Sequence, residues 1–445
     1  MPSWLSLSFG FTPLYLSFIR FLAPLVLAVL VMELSGQFLT GGMARVPRAT
    51  ETLAAFGLAF GLSTILSGPL YQARQLGLAM IDNRLQLVTG TRFILLVGVI
   101  LSALTAMIGL EGLGRWLVED VHGITPHLAD QAQNALLLLS PLALVNGLAR
   151  YYSGLLARFR RTDLVSVSSI GGIIVRIGSV FAFLNEPFVQ ETPILLPVIV
   201  TILGTMVEFL ILWWGYRRYA RPSLPVDGDP VTVHGLLRFI WPLALIMTFQ
   251  GASRPLINFV VSRGNDATEA LAALTVVYAL GHIHYGWVNE LRSLASAFRE
   301  EEHSLYHIRR FAVATCLISF TMAVTLFWTP LRDVILLDLI GVEQGLADLC
   351  VAPLMIFTFF PFAVTLRGYY HGVGIVSRVT DAMALSGPSR LTAITTALIL
   401  FSFTDVPGAT QGIGSLFCGF AAESLVVTWG VRRRLKAQTN GESDV

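Results

Sequence analysis

Three polar residues recur at four-residue intervals inside an apolar run: Gln250, Arg254 and Asn258, in FIWPLALIMTFQGASRPLINFVV. That spacing puts them on one face of a helix. A guanidinium flanked by two amides is suited to gripping carboxylates or phosphates, because its planar fork meets two oxygens at once. Pro255 follows directly. It removes one helical hydrogen bond and frees the carbonyl of Gly251, so Gly251 and Pro255 form a candidate hinge. Other apolar runs carry similar stripes: Glu33 and Gln37, Asn146 and Arg150, His282 with Tyr285 and Asn289, Arg367 with His371. Polar stripes on membrane helices face a bundle interior or a watery cavity. The expected substrate-binding residues are therefore Arg254, Arg367, Gln250, Asn258, His282, Tyr285, Gln37, Glu33 and Arg150. Three arginines and two histidines against Glu33 make such a cavity positive, which suits an anion. The alternative for Arg254 is a structural pair with Glu33 or Glu290.

A second set of buried charges reads differently. Arg176 and Glu208 recur as Arg390 and Glu423. Both signs return together, which favours two structural ion pairs over ligands, since buried charges persist when partnered. The three cysteines, Cys316, Cys350 and Cys418, are scattered. No disulfide framework, metal site or cofactor is expected. No phosphate loop, H-E-x-x-H or G-x-S-x-G is present, so no enzyme is expected.

These residues must be positioned by membrane helices. Of 445 residues, 54% are hydrophobic and 13% charged; a soluble chain carries roughly 25% charged residues. A bilayer core of about 30 Å takes about 20 apolar residues per helix. Twelve spans are predicted, near 17–40, 52–73, 92–110, 133–157, 164–184, 193–215, 237–262, 268–289, 309–329, 346–371, 379–403 and 408–431. Basic residues crowd alternate loops, around Arg74 and Arg84, Arg158 to Arg161, Arg217 to Arg221, Arg292 and Arg299, Arg378, and Arg432 to Arg434. The positive-inside rule then puts both termini in the cytoplasm.

The sequence also matches itself at an offset of 218. RFLAPL at 20–25 falls on RFIWPL at 238–243, ATETLAA at 49–55 on ATEALAA at 267–273, and Arg74 on Arg292. An even number of spans per repeat gives two halves of the same orientation, with a site expected between them at the midplane. The predicted organisation is an all-α membrane protein of two pseudo-symmetric six-helix bundles. An N-terminal bundle covers 1–216 and a linker 217–236. A C-terminal bundle covers 237–434, with a short tail at 435–445.

The motifs SRPLIN, ATEALAALT, GHIHYGW, NELR, IGVEQGLADLC, FFPFAVTLRG, GATQGIGSL and GFAAES resemble the progressive ankylosis protein family and its bacterial relatives. The resemblance is densest over 238–425. It implies the fold of the exporter superfamily that holds the multidrug (MATE) and oligosaccharide-lipid exporters. It also implies export of pyrophosphate, ATP or citrate. Gln250, Arg254, Asn258, His282, Tyr285, Glu290, Arg367, Arg390 and Glu423 match family positions, whereas Arg150, Arg176, His284 and His371 do not. The expected partners are a small anion (citrate, pyrophosphate or a nucleotide) and the lipid bilayer, with no nucleic acid polymer. The chain is expected to act as a monomer in a bacterial cytoplasmic membrane. Rival readings are a flippase of a lipid-linked pyrophosphoryl precursor and a non-transporting scaffold or sensor.

Overall fold

The computed structural model describes residues 13–442 apart from 44, 111, 121–124, 265 and 341. The long apolar runs are helical because a chain in lipid must satisfy its backbone groups internally. In order these are α1 (Pro13–Met43), α2 (Ala49–Ser67), α3 (Ala73–Ala79), α4 (Arg84–Ile108), α5 (Pro126–Leu139), α6 (Leu142–Arg158), α7 (Thr162–Phe183) and α8 (Leu195–Gly215). The second half contains α9 (Val233–Val261), α10 (Ala267–Tyr285), α11 (Leu294–Ala297), α12 (Ser304–Phe327), α13 (Gln344–Phe357), α14 (Phe360–Val376), α15 (Ser386–Phe401) and α16 (Gly408–Glu442). Among the described residues ten stretches are long and apolar enough to cross a bilayer. The pair α5 and α6, bent by 41°, gives an eleventh. Helix α1, apolar over Leu14–Ala28, is the remaining expected span.

The repeat is visible in the breaks. Spans 2, 4, 8 and 10 are predicted as continuous, yet each consists of two pieces. Helices α2 and α3 are joined by a 3₁₀ turn, Gly68–Gln72, and α10 and α11 by another, Gly286–Ser293. The two turns open on glycines 218 positions apart. At Gly286 the reason is steric: a Cβ there would stand 2.6 Å from the His282 ring. Pro141 at the end of α5 and Pro361 at the start of α14 mark the other two breaks, where a ring without N–H cannot continue a helix.

Within the first half α3 and α6 touch backbone to backbone. A Cβ on Gly77 would lie 2.4 Å from the Tyr151 carbonyl oxygen, and one on Gly154 would lie 2.0 Å from that of Arg74. Small residues allow this approach in membranes. Gly154→Val forces the two helices apart and is expected to cost about 1–3 kcal/mol. It should lower the midpoint of thermal unfolding; an unchanged midpoint would contradict the close packing.

The halves meet at one end. Helix α9 packs on the Gly68–Gln72 turn, α3 and α4; α1 packs on the Gly286–Ser293 turn; α11 packs on α3 and α6. The other end of the first half has its own core, including Ala55, Phe56, Ala132, Leu136 and Ile194, separate from the one both halves share. The closed end carries the basic loops and is called here the arginine-rich face.

Ion pairs cross that face. The Asp82 carboxylate accepts from Arg158 at 2.6 Å in its own half, and from Arg299 and Arg378 of the second half at 2.5 Å each. Arg160 reaches the other way, to Glu301 at 2.6 Å. Arg160 and Arg378, two of the three crossing arginines, are 218 positions apart and built alike. Each follows a helix end with φ of 56°. The next amide bonds back five residues, Arg161 to the Leu156 carbonyl and Val379 to that of Gly374, both at 2.9 Å. These are Schellman helix ends. Arginine in the left-handed region costs about 1 kcal/mol relative to glycine, and each arginine here is aimed across the interface.

Candidate functional site

Glu423 of α16 is the centre of one charged cluster and is fully buried. Its carboxylate accepts from Arg390 Nη1 at 2.8 Å, Arg367 Nη1 at 3.0 Å and Gln250 Nε2 at 2.5 Å. Arg390 also donates to Ser253 at 2.9 Å, and Arg367 donates to the Asn289 side-chain oxygen. Both guanidinium groups lie over the Phe420 ring. Two cations therefore share one anion. Arg390 and Glu423, expected as a pair, are in contact. Arg367, expected as a ligand, is held by the same carboxylate.

Helix α9 brings Gln250 to this cluster, and four residues on the same face presents Arg254. Arg254 is exposed, with its guanidinium 4.6 Å from the Tyr278 ring centroid. Asn258, one turn further, is exposed as well. Nearer the arginine-rich face, α9 borders the first half. Leu243, Ile246, Met247 and Gln250 line a small cavity with Gln72 of the first half, Arg292 and His371. Helix α9 is unbroken through Gly251 and Pro255; both are exposed, and nothing stands within 4 Å of a Cβ on Gly251.

The remaining expected residues are dispersed. Tyr285 is packed among Phe357, Phe360 and Phe420 in the core. His282 is half-buried, its ring 5.2 Å from that of Tyr285. Glu33 and Gln37 fall in the stretch 29–38, whose side chains lie outside the described residues. Arg150 is in the first half, 5.5 Å from the Tyr71 ring centroid. It lines a cavity of about 60 Å³ with Arg74, Arg176, Glu208 and Glu290.

Arg176 and Glu208 share that cavity without forming the contact pair expected of them. The stem of Arg176 lies on Gly204, where a Cβ would stand 2.3 Å from its Cγ. This seats the head group at Thr205, 3.4 Å away, one turn short of Glu208. Glu290, an alternative partner for Arg254, is instead 3.0 Å from Arg74. This pair joins the halves, because Arg74 belongs to α3 and Glu290 to the Gly286–Ser293 turn.

By their place in the sequence Arg74 and Arg292 are expected among the loop arginines. Helix α3 and the second 3₁₀ turn carry them inside instead. The signal available was their shared place in the repeat. Asp82 also carried a signal, as the first acid after Glu51 in a basic stretch. A polar seam therefore runs through the centre, from Glu423 and Arg367, past Arg292 and His371, to Glu290 and Arg74, and on to Arg150 and Arg176. Among the described residues no three His, Cys, Asp or Glu side chains gather as metal ligands would.

A family model described as progressive ankylosis protein (ANKH) matches residues 7–329. Solved structures of the same fold include a MATE transporter in a bent conformation, at 15% identity and TM-score 0.74, with 96% of each chain covered. A MOP superfamily transporter from Pyrococcus furiosus, described as having a binding pocket of reverse polarity, aligns at 15% identity and TM-score 0.67, covering 95% of this chain and 96% of that one. A eukaryotic MATE transporter aligns at 13% identity and TM-score 0.70, covering 94% and 97%.

Proposed function

Because the chain belongs to the progressive ankylosis protein family, we propose that it exports small polyanions across a membrane by alternating access. The substrate class is a di- or tricarboxylate such as citrate, pyrophosphate, or a nucleotide such as ATP. The observation that carries this reading is the charge of the seam and of the gap beside it. Arg74, Arg150, Arg176, Arg254, Arg292, Arg367 and Arg390 face Glu208, Glu290 and Glu423, seven cations against three anions among the described residues. Excess guanidinium at bilayer depth is expensive unless an anion visits it. A fold-sharing neighbour described as having a pocket of reverse polarity fits the view that this fold tolerates pockets of either sign.

In this mechanism the halves 1–216 and 237–434, joined by the linker 217–236, rock about the seam. The arginine-rich face is cytoplasmic, in a bacterial cytoplasmic membrane, with both termini on that side. The structure then corresponds to the state closed to the cytoplasm. Arg254 lies one turn beyond Gln250 along α9, away from the arginine-rich face, with Gln250 and Asn258 beside it to orient a bound anion. Arg367 acts through Glu423. A negative interior favours exit by about 2.3 kcal/mol per charge per 100 mV, so a trivalent anion needs no coupled ion. A monomer is sufficient for this cycle.

Arg254→Ala is the discriminating variant, since among the described residues its side chain has no carboxylate partner to strand. Losing one charge-assisted contact of about 1.5–3 kcal/mol should cut efflux of radiolabelled citrate, pyrophosphate and ATP from proteoliposomes by roughly 10- to 100-fold, with thermal stability unchanged. Wild-type flux in this variant would remove Arg254 from the site. Absence of flux for every anion in the wild type would overturn the reading.

A further inference from the structure

The cavity in the first half is built for an anion of its own. Arg74, Arg150, Arg176, Glu208 and Glu290 line it, together with Ser153 and Ser169. Among the described residues that line it, three arginines less two glutamates leave a formal charge of +1. The arginine hydrogen bonds are also incomplete. Arg74 gives Nη1 to Glu290, but its Nε and Nη2 are buried without a hydrogen-bond partner among the described residues. The Nε of Arg176 is buried and unpartnered too. Its other contact, to Thr205 at 3.4 Å, is long. Arg150 contacts a ring face rather than a carboxylate. Unsatisfied buried guanidinium N–H groups are rare in folded proteins because they forfeit their hydration for nothing. Water can fill the hydrogen bonds but leaves the charge.

The volume selects the ligand. At about 10–15 Å³ per water-sized sphere, a cavity of about 60 Å³ takes roughly four to six such positions. A tetrahedral oxyanion has five non-hydrogen atoms and only acceptors to offer three guanidinium groups. We infer that this cavity binds a small tetrahedral oxyanion of the phosphate class, held by Arg74, Arg150 and Arg176.

Glu290 enters the cavity from the other half. When the arginine-rich face is closed it takes one edge of Arg74 and acts as a tethered competitor for the ligand. Separation of the halves on that face withdraws it and raises the formal charge to +2. Oxyanion affinity therefore falls on closure and rises on opening. A terminal phosphoryl group on a larger solute has the same chemistry as free phosphate, and the two are told apart by competition.

The test is calorimetric titration of sodium phosphate into the full-length purified protein, with gluconate as the only other anion. Saturable one-to-one binding is expected. Arg176→Gln, and separately Arg150→Gln, should weaken it about tenfold or more. Glu290→Gln should tighten it several-fold, and Arg254→Ala should leave it unchanged. Pyrophosphate that competes and also loses affinity in Arg176→Gln identifies a phosphoryl terminus as the occupant. Pyrophosphate that fails to compete identifies free phosphate. No saturable binding by the wild type, wild-type binding by both arginine variants, or loss of binding in Arg254→Ala would each overturn the assignment. Phosphate binding that survives while Arg254→Ala abolishes efflux separates this site from the export reading.

Discussion

Glu423→Gln should destabilise the protein by about 3–5 kcal/mol, the range for removing one partner of a buried ion pair. The substitution preserves shape and keeps one oxygen acceptor, so the loss is electrostatic. Glu423 is fully buried, and Arg390 and Arg367 lie 2.8 and 3.0 Å away with side chains only 6% and 9% exposed. Without the carboxylate two guanidinium groups are left beside each other over the Phe420 ring with no anion between them. Gln250 and Asn289 remain as neutral partners and compensate neither charge. The expected readout is a large fall in thermal midpoint, with loss of the monodisperse peak on size exclusion. Adding Arg390→Met to Glu423→Gln removes one of the two stranded cations, so the double variant should be less damaged than the sum of the single changes, as coupled sites are. Wild-type stability in Glu423→Gln would show that the cluster does not hold this half together.

Asp82→Asn should open the arginine-rich face. One carboxylate holds three guanidinium groups, two of them from the opposite half. An isolated exposed ion pair contributes little, but a shared, partly buried hub with charge-assisted hydrogen bonds contributes more. Loss of about 2 kcal/mol of interaction across the face shifts the closed-to-open ratio by roughly 30-fold. Distance distributions between spin labels on the two halves at this face should broaden and lengthen. Identical distributions in wild type and variant would remove Asp82 as a latch.

The same hub sets a pH expectation. Burial pushes the Asp82 carboxyl up, but hydrogen bonds and charge from Arg299 and Arg158 more than reverse this and hold it well below the usual carboxylate range. A depressed carboxyl contributes its stabilisation in full above its unperturbed value and loses it only as pH falls through the lowered one. The closed population should therefore be flat between about pH 5 and pH 8. A midpoint inside that window would mean that another group governs the face.

The amino-acid sequence by itself determined the class of this protein. Apolar runs of bilayer length, alternating basic loops and a 218-residue repeat leave no other architecture, because each is set by the membrane or by duplication and needs no knowledge of packing. It also marked several buried or half-buried charges, Arg176, Arg367, Arg390 and Glu423 among them, since a charge within an apolar run is costly wherever its helix ends up. Arg74, Arg292 and Asp82, near the ends of runs, escaped it. What it did not determine is which charges meet. Arg390 and Glu423 fall on adjacent helices and touch, whereas Arg176, displaced along α8 by Gly204, ends at Thr205. Arg367 turned from an expected ligand into a partner of Glu423, and Arg74 from a loop residue into a link between the halves. Such outcomes depend on helix rotation, on glycine contacts within 3 Å and on breaks at Gly68 and Gly286 that redirect whole turns. These are properties of two helices in contact, and the spacing of residues along one chain cannot specify them.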